Sequence, residues 1–118
     1  PQGGIDYNET PMDAMKRELA EETSITRIKV LKEIENWLEY ELPQNLLGKI
    51  WKGRFRGQRQ KWFIVKFIGN ENEINLNTKH PEFIEWKWIN YKLLPEVIVD
   101  FKKEVYLKLK IELNKFIN

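Results

Sequence analysis

The chain has 118 residues, of which 42% are hydrophobic, 13% aromatic and 32% charged. This is the composition of one globular domain, and its apolar runs fall far short of the ~18 residues a membrane-spanning helix requires. With no cysteine and a single histidine, His80, it excludes disulfide frameworks, thiolate sites and paired-histidine sites, leaving chemistry to carboxylates, bases, hydroxyls and backbone. The net charge of +2 conceals a partition: residues 1–48 carry ten acids and five bases, residues 49–61 six bases and no acid, and the remainder is nearly balanced, as suits a site handling both cations and anions.

Residues 3–9 contain glycines and short polar side chains and show no apolar periodicity, so they read as a loop. A helix is predicted from Thr10 to Glu22. Thr10 can cap it, Pro11 suits the first helical position, Asp13 stands where a capping-box partner would, and Met12, Met15 and Leu19 form one stripe. Ser24 occupies the position where a glycine commonly ends a helix. Residues 28–42, with β-branched and aromatic side chains in imperfect alternation before Pro43, are predicted to be extended. Trp62 to Ile68 is the strongest strand signal and too apolar to face water on both sides, so a central strand is expected. Residues 69–81 read as a polar surface loop that includes His80. Phe83 to Ile89 alternates as a strand with one wetter face would. From Pro95 onward, Ile98, Phe101, Val105, Leu109, Leu113 and Phe116 recur at helical spacing, predicting a C-terminal amphipathic helix. With no repeat, linker or low-complexity tract, the chain reads as one α/β domain.

Two segments carry chemistry. In Arg17-Glu18-Leu19-Ala20-Glu21-Glu22, helical spacing places Glu18, Glu21 and Glu22 on one face, where like charges cost about 0.2–0.5 kcal/mol per pair unless a cation compensates. Carboxylate-only ligands, with room for water and phosphate oxygens, describe a Mg²⁺ or Mn²⁺ site. Arg17 is placed to pair with Glu21 or Glu9 and orient the cluster. A solvated acidic helix face is the plainer reading of the triplet alone. In residues 49–61, bases interleave with aromatics, so Arg54, Arg56, Arg59 and Lys61 are phosphate-contact candidates and Trp51 and Phe55 base-stacking candidates. The plainer alternative there is a solvated loop and edge strand with its aromatics turned to the core.

The wider spacing runs Gly3, five residues, Glu9, seven residues, then Arg17-Glu18-Leu19-Ala20-Glu21-Glu22-Thr23-Ser24-Ile25. It closely resembles the Nudix box, departing only in Ser24 for the last glycine. Pro1-Gln2-Gly3-Gly4-Ile5, Asn36-Trp37-Leu38, Gly57-Gln58-Arg59-Gln60-Lys61-Trp62-Phe63, Glu73-Ile74-Asn75, Pro81-Glu82-Phe83, Trp86-Lys87-Trp88 and Val99-Asp100-Phe101-Lys102 together resemble the bacterial RNA pyrophosphohydrolase subgroup, also described as dinucleoside polyphosphate hydrolase or invasion-associated protein. The resemblance implies an α/β/α sandwich around a mixed central sheet with a C-terminal helix, spanning residues 1–118 as a single Nudix domain. It implies Mg²⁺ (or Mn²⁺) held by Glu18, Glu21 and Glu22 with a backbone carbonyl at Gly3 or Gly4. It makes Arg17, Glu18 and Glu82 the catalytic group, with either Glu18 or Glu82 as base. Val99, Phe101 and Lys102 match residues lining a terminal-base pocket, although Phe101 also fits the helical stripe, and Trp37 matches a site wall.

The implied activity is removal of pyrophosphate from 5'-triphosphorylated RNA, leaving a 5'-monophosphate and initiating mRNA decay. The alternatives are hydrolysis of dinucleoside polyphosphates such as diadenosine tetra- or pentaphosphate, or a catalytically impaired fragment serving as a nucleotide- or RNA-binding module. The last arises because relatives carry strands before the Pro-Gln-Gly-Gly block, and missing strands would leave a central sheet edge unpaired. A cytoplasmic location without membrane partners is expected.

Overall fold

The computed structural model describes residues 1–49 and 56–117. Helix α1, Pro11–Thr23, begins as its sequence dictates: the Thr10 hydroxyl accepts from the Asp13 N–H at 3.1 Å and Pro11 sits in the first turn. It ends on Ser24, whose φ of 66° is left-handed and whose N–H donates to the Ala20 carbonyl at 2.9 Å. The serine thus takes the conformation that favours glycine. Its hydroxyl in turn donates to the Asn75 carbonyl at 2.9 Å, while the Asn75 N–H donates to the Thr23 carbonyl.

The extended stretch 28–42 divides into β1, Ile28–Glu33, and β2, Leu38–Glu41. Each enters a different antiparallel ladder. β2 pairs with β3, Gly57–Gln60, in the register Leu38↔Gln60, Glu39↔Arg59, Tyr40↔Gln58 and Glu41↔Gly57. β1 pairs with β4, Phe63–Phe67, from Ile28↔Phe67 to Glu33↔Phe63, with an irregularity between Val30 and Lys32. Gly57 is required where it stands, because a Cβ there would drive into the backbone of Tyr40 and Glu41. Helix α2, Lys103–Ile117, closes the described chain.

Three expectations are corrected. Among the described residues β4 has β1 as its single ladder neighbour, where a central strand would have two; Ile64 is buried but Ile68 is 51% exposed. An apolar run announces covered faces and does not supply a partner for each backbone edge. Phe83 to Ile89 forms no strand, and every residue from 81 to 90 is exposed, since side-chain alternation makes a strand only where a neighbour takes the backbone hydrogen bonds. The last helix starts at Lys103 rather than Pro95, which lies inside a 3-10 turn, Tyr91–Glu96, followed by another at Asp100–Lys102. The α/β class stands, with helices and antiparallel strands together and a helix near the C-terminus.

Packing divides the chain into two compact units, Pro1–Glu33 with Phe63–Lys87, and Ile34–Trp62 with Trp88–Asn118. In the first unit, the buried described residues are Ala14, Glu22, Thr23 and Ile64, and the Arg27–Glu73 ion pair at 2.8 Å ties a strand start to the 3-10 turn Glu71–Glu73. In the second, Ile34, Leu38, Tyr40, Leu42, Val105 and Leu109 are buried, and Trp62 meets Tyr106 edge-on at 5.7 Å. The inner residues of α2, Val105 and Leu109, are the middle of the predicted stripe, while Phe116 at its end is exposed.

Candidate active site

The first unit gathers the acidic residues around one guanidinium. Asn8, at φ 64°, turns the chain so that Glu9 accepts from the Asp6 N–H at 2.9 Å and faces α1. Arg17 grips Glu9 with two parallel hydrogen bonds, Nε to Oε2 at 2.8 Å and Nη2 to Oε1 at 2.9 Å, the bidentate fit that arginine makes with carboxylate. Its Nη1 donates to Glu18 at 2.7 Å and to Glu21 at 3.3 Å, and Nη2 donates to the Gly4 carbonyl at 2.8 Å. Arg17 therefore orients the carboxylates, as its spacing in the sequence foretold, and also pins the glycine loop to the helix. A Cβ on Gly3 would run into the Glu18 carboxylate, so a side chain at residue 3 would push that carboxylate from its place.

Glu22 differs from its neighbours. It is buried, and the Gln2 N–H donates to its Oε2 at 3.0 Å. Burial raises its carboxyl above the usual range, and the Glu18 and Glu82 charges push the same way. Glu82, far along the chain, thus lies close enough for Glu22 to feel it. The Arg17 hydrogen bond holds Glu9 down at about 2, helped by the Asp6 N–H, and hydrogen bonds to Glu9 and Glu18 raise Arg17 above its ordinary value. The network is anionic in excess, with a buried carboxylate whose ionisation is disfavoured until positive charge arrives.

As the side chains stand, no three acidic or histidine groups among the described residues converge tightly enough to close on an ion. The donor chemistry nevertheless fits a hard divalent cation: Glu18, Glu21, Glu22 and Glu82 supply carboxylate oxygens. Burial of Glu22 beside other anions creates the electrostatic demand a cation would meet.

The predicted substrate-contact residues that are described lie in the second unit. Arg54 lies outside the described residues, as do Trp51 and Phe55. Arg56 is exposed immediately before β3, and Arg59 is exposed on it, 3.4 Å from Glu39. Lys61 donates to the Glu35 carbonyl. Val99 is 53% exposed. Phe101 meets Tyr40 with ring centroids 5.5 Å apart, and the Lys102 ammonium lies 5.2 Å from the Tyr40 centroid and 5.9 Å from that of Phe101. Phe101 and Lys102 are thus brought together through Tyr40, which sequence reasoning missed; its inward place in the Leu38-Glu39-Tyr40 alternation was the available signal. Gln2 was missed too, because it acts through a backbone N–H that no residue type advertises. His80 is exposed, in the predicted loop.

The model of the NUDIX domain matches residues 1–109. The chain belongs to the Nudix family. Members of this family generally use divalent metal ions, in keeping with the oxygen donors of the first unit. A protein from Pelagibacter ubique named RNA pyrophosphohydrolase is 52% identical over 118 residues, covering 100% of this chain and 75% of the relative. Proteins of the same name from Bartonella bacilliformis and Rhodospirillum rubrum are 45% and 47% identical, over 99% and 98% of this chain and 71% and 70% of their own lengths.

Proposed function

We propose that the chain is a Mg²⁺-dependent pyrophosphohydrolase of 5'-triphosphorylated RNA, releasing pyrophosphate and leaving a 5'-monophosphate, with residues 1–118 acting as one catalytic domain. Mn²⁺ is the natural substitute ion, and mRNA decay in the cytoplasm is the process that such a reaction would start. The observation carrying the chemistry is the Arg17-centred network, which fixes Glu9, Glu18 and Glu21 around a buried, anion-flanked Glu22. The RNA substrate rests on the shared name of relatives at 45–52% identity, and those names speak against dinucleoside polyphosphates as the main substrate.

Glu18, Glu21 and Glu22 would hold the ion, with Glu82 beside them. A backbone carbonyl at Gly3 or Gly4 would complete the set, Gly3 being the one whose carbonyl Arg17 does not engage. A divalent ion there supplies neutralisation of phosphate oxygens and acidifies water. Either Glu18 or Glu82 accepts, at a carboxylate oxygen, the proton of the water that attacks phosphorus, as the anhydride bond breaks and pyrophosphate leaves. Arg17 keeps Glu18 in position for this, Arg54, Arg56, Arg59 and Lys61 contact phosphates, and Val99, Phe101 and Lys102 receive the terminal base.

Incubation with Mg²⁺ and triphosphorylated RNA in parallel with diadenosine tetraphosphate tests the reading. Pyrophosphate release with 5'-monophosphorylated RNA as product is expected. Intact RNA beside cleaved dinucleotide refutes it, and inertness toward both leaves the binding module as the better account.

A further inference from the structure

The β2–β3 ladder has two unlike faces. Leu38 and Tyr40 point inward and are buried, whereas Trp37, Glu39 and Glu41 alternate with them and are exposed. The register that pairs Glu39 with Arg59 brings both bases to the tryptophan: the Arg59 guanidinium is 5.7 Å and the Lys61 ammonium 6.0 Å from the Trp37 ring centroid. Trp37 remains 40% exposed. Cross-strand cation–π contact accounts for part of this arrangement, but it leaves a large aromatic surface in water beside two positive charges. The two bases come from residues 49–61, which contain six bases and no acid. An aromatic surface for a base, with cations close by for the adjoining phosphates, is the chemistry of single-strand recognition. Opposing features are Glu39, 3.4 Å from Arg59, which competes with a phosphate for that guanidinium, Glu41, exposed on the same face, and the Glu35 carbonyl, which already accepts from Lys61.

We propose that Trp37, with Arg59 and Lys61 over its ring, is a stacking platform for a nucleotide of single-stranded RNA, on the outer face of the β2–β3 ladder, the base taking the exposed part of the indole. The proposal rests on the RNA reading above and adds a contact that does not require the triphosphate. Its occupant is RNA rather than a second copy of the chain, because the charge beside the ring complements phosphate.

The test is fluorescence anisotropy with a labelled eight-nucleotide RNA of mixed sequence bearing a 5'-hydroxyl, at low salt. Base–aromatic stacking of ordinary strength corresponds to roughly a 5- to 140-fold change in Kd. Trp37→Ala is expected to weaken binding by that factor, Trp37→Phe to restore part of it, and Glu39→Gln to tighten it by releasing Arg59. Wild-type failure to bind the octamer overturns the platform, as does unchanged affinity in a Trp37→Ala protein with native circular dichroism. A change in oligomeric state without a change in RNA affinity also overturns it. Octamer binding by a wild-type protein that leaves triphosphorylated RNA intact would sink the hydrolase reading while the platform stands.

Discussion

The two units are held together by different physics. The second is built on apolar burial, with Leu38, Tyr40, Leu42, Val105 and Leu109 withdrawn from water. The first buries few large apolar side chains and places the charged Glu22 among its most buried residues, with Arg17 bonded to Glu9, Glu18 and Gly4. Substitutions in the first unit should therefore reach activity before stability, and those in the second stability before activity.

The largest expected effect is on turnover. Arg17→Lys keeps the charge but loses the planar fork, and Gly3→Ala thrusts a methyl group at Glu18. Displacing by about 1 Å a carboxylate proposed to take part in catalysis can cost ~100-fold, so each variant should lose kcat on that scale at saturating RNA while keeping its circular dichroism spectrum. The converse is Leu109→Ala, expected to lower stability by about 2–5 kcal/mol, read by urea denaturation, with kcat per folded molecule unchanged.

How far this contrast was legible depended on sequence distance. The Nudix box is a local pattern on one loop and one helix, so the Thr10 cap, the Arg17 pairings and the left-handed Ser24 could all be anticipated from spacing. Glu82 could be joined to the helix only by resemblance, and the structure supports that proximity through its influence on Glu22. Strand pairing was least legible. The apolar run of β4 and the alternation of Phe83 to Ile89 describe side-chain faces, whereas the ladders depend on which backbone lies alongside. The Tyr40–Phe101–Lys102 cluster was half visible for the same reason, since β2 and the turn before α2 are brought together only by folding.

Smaller effects sharpen the contrast through pH. The folded value of Glu22 is raised, so its contribution to stability is present at low pH and declines as pH rises through that value. Without divalent ion, Glu22→Gln should flatten this decline in thermal melting at increasing pH. Glu9 has the opposite sign: its value of about 2 against an ordinary 4.5 gives stability that is present above 4.5 and lost as pH falls toward 2. Glu9→Gln should remove that acid-side loss, together with the stabilisation present at neutral pH. The smallest expected change is in Ser24→Gly, which relieves the left-handed serine but forfeits its hydroxyl bond to Asn75. A net gain of at most about 1 kcal/mol is expected, seen as a slightly higher Tm.

The central claim is that the carboxylates of the first unit, above all Glu22, carry Mg²⁺-dependent removal of pyrophosphate from RNA. The most direct measurement is pyrophosphate release from triphosphorylated RNA by wild type and Glu22→Gln side by side, with and without Mg²⁺. Wild type should turn over only with the ion, and Glu22→Gln should remain folded and lose roughly 10²- to 10⁴-fold in rate, the scale of several kcal/mol of lost transition-state stabilisation. Retained Mg²⁺-dependent activity in Glu22→Gln would contradict the account.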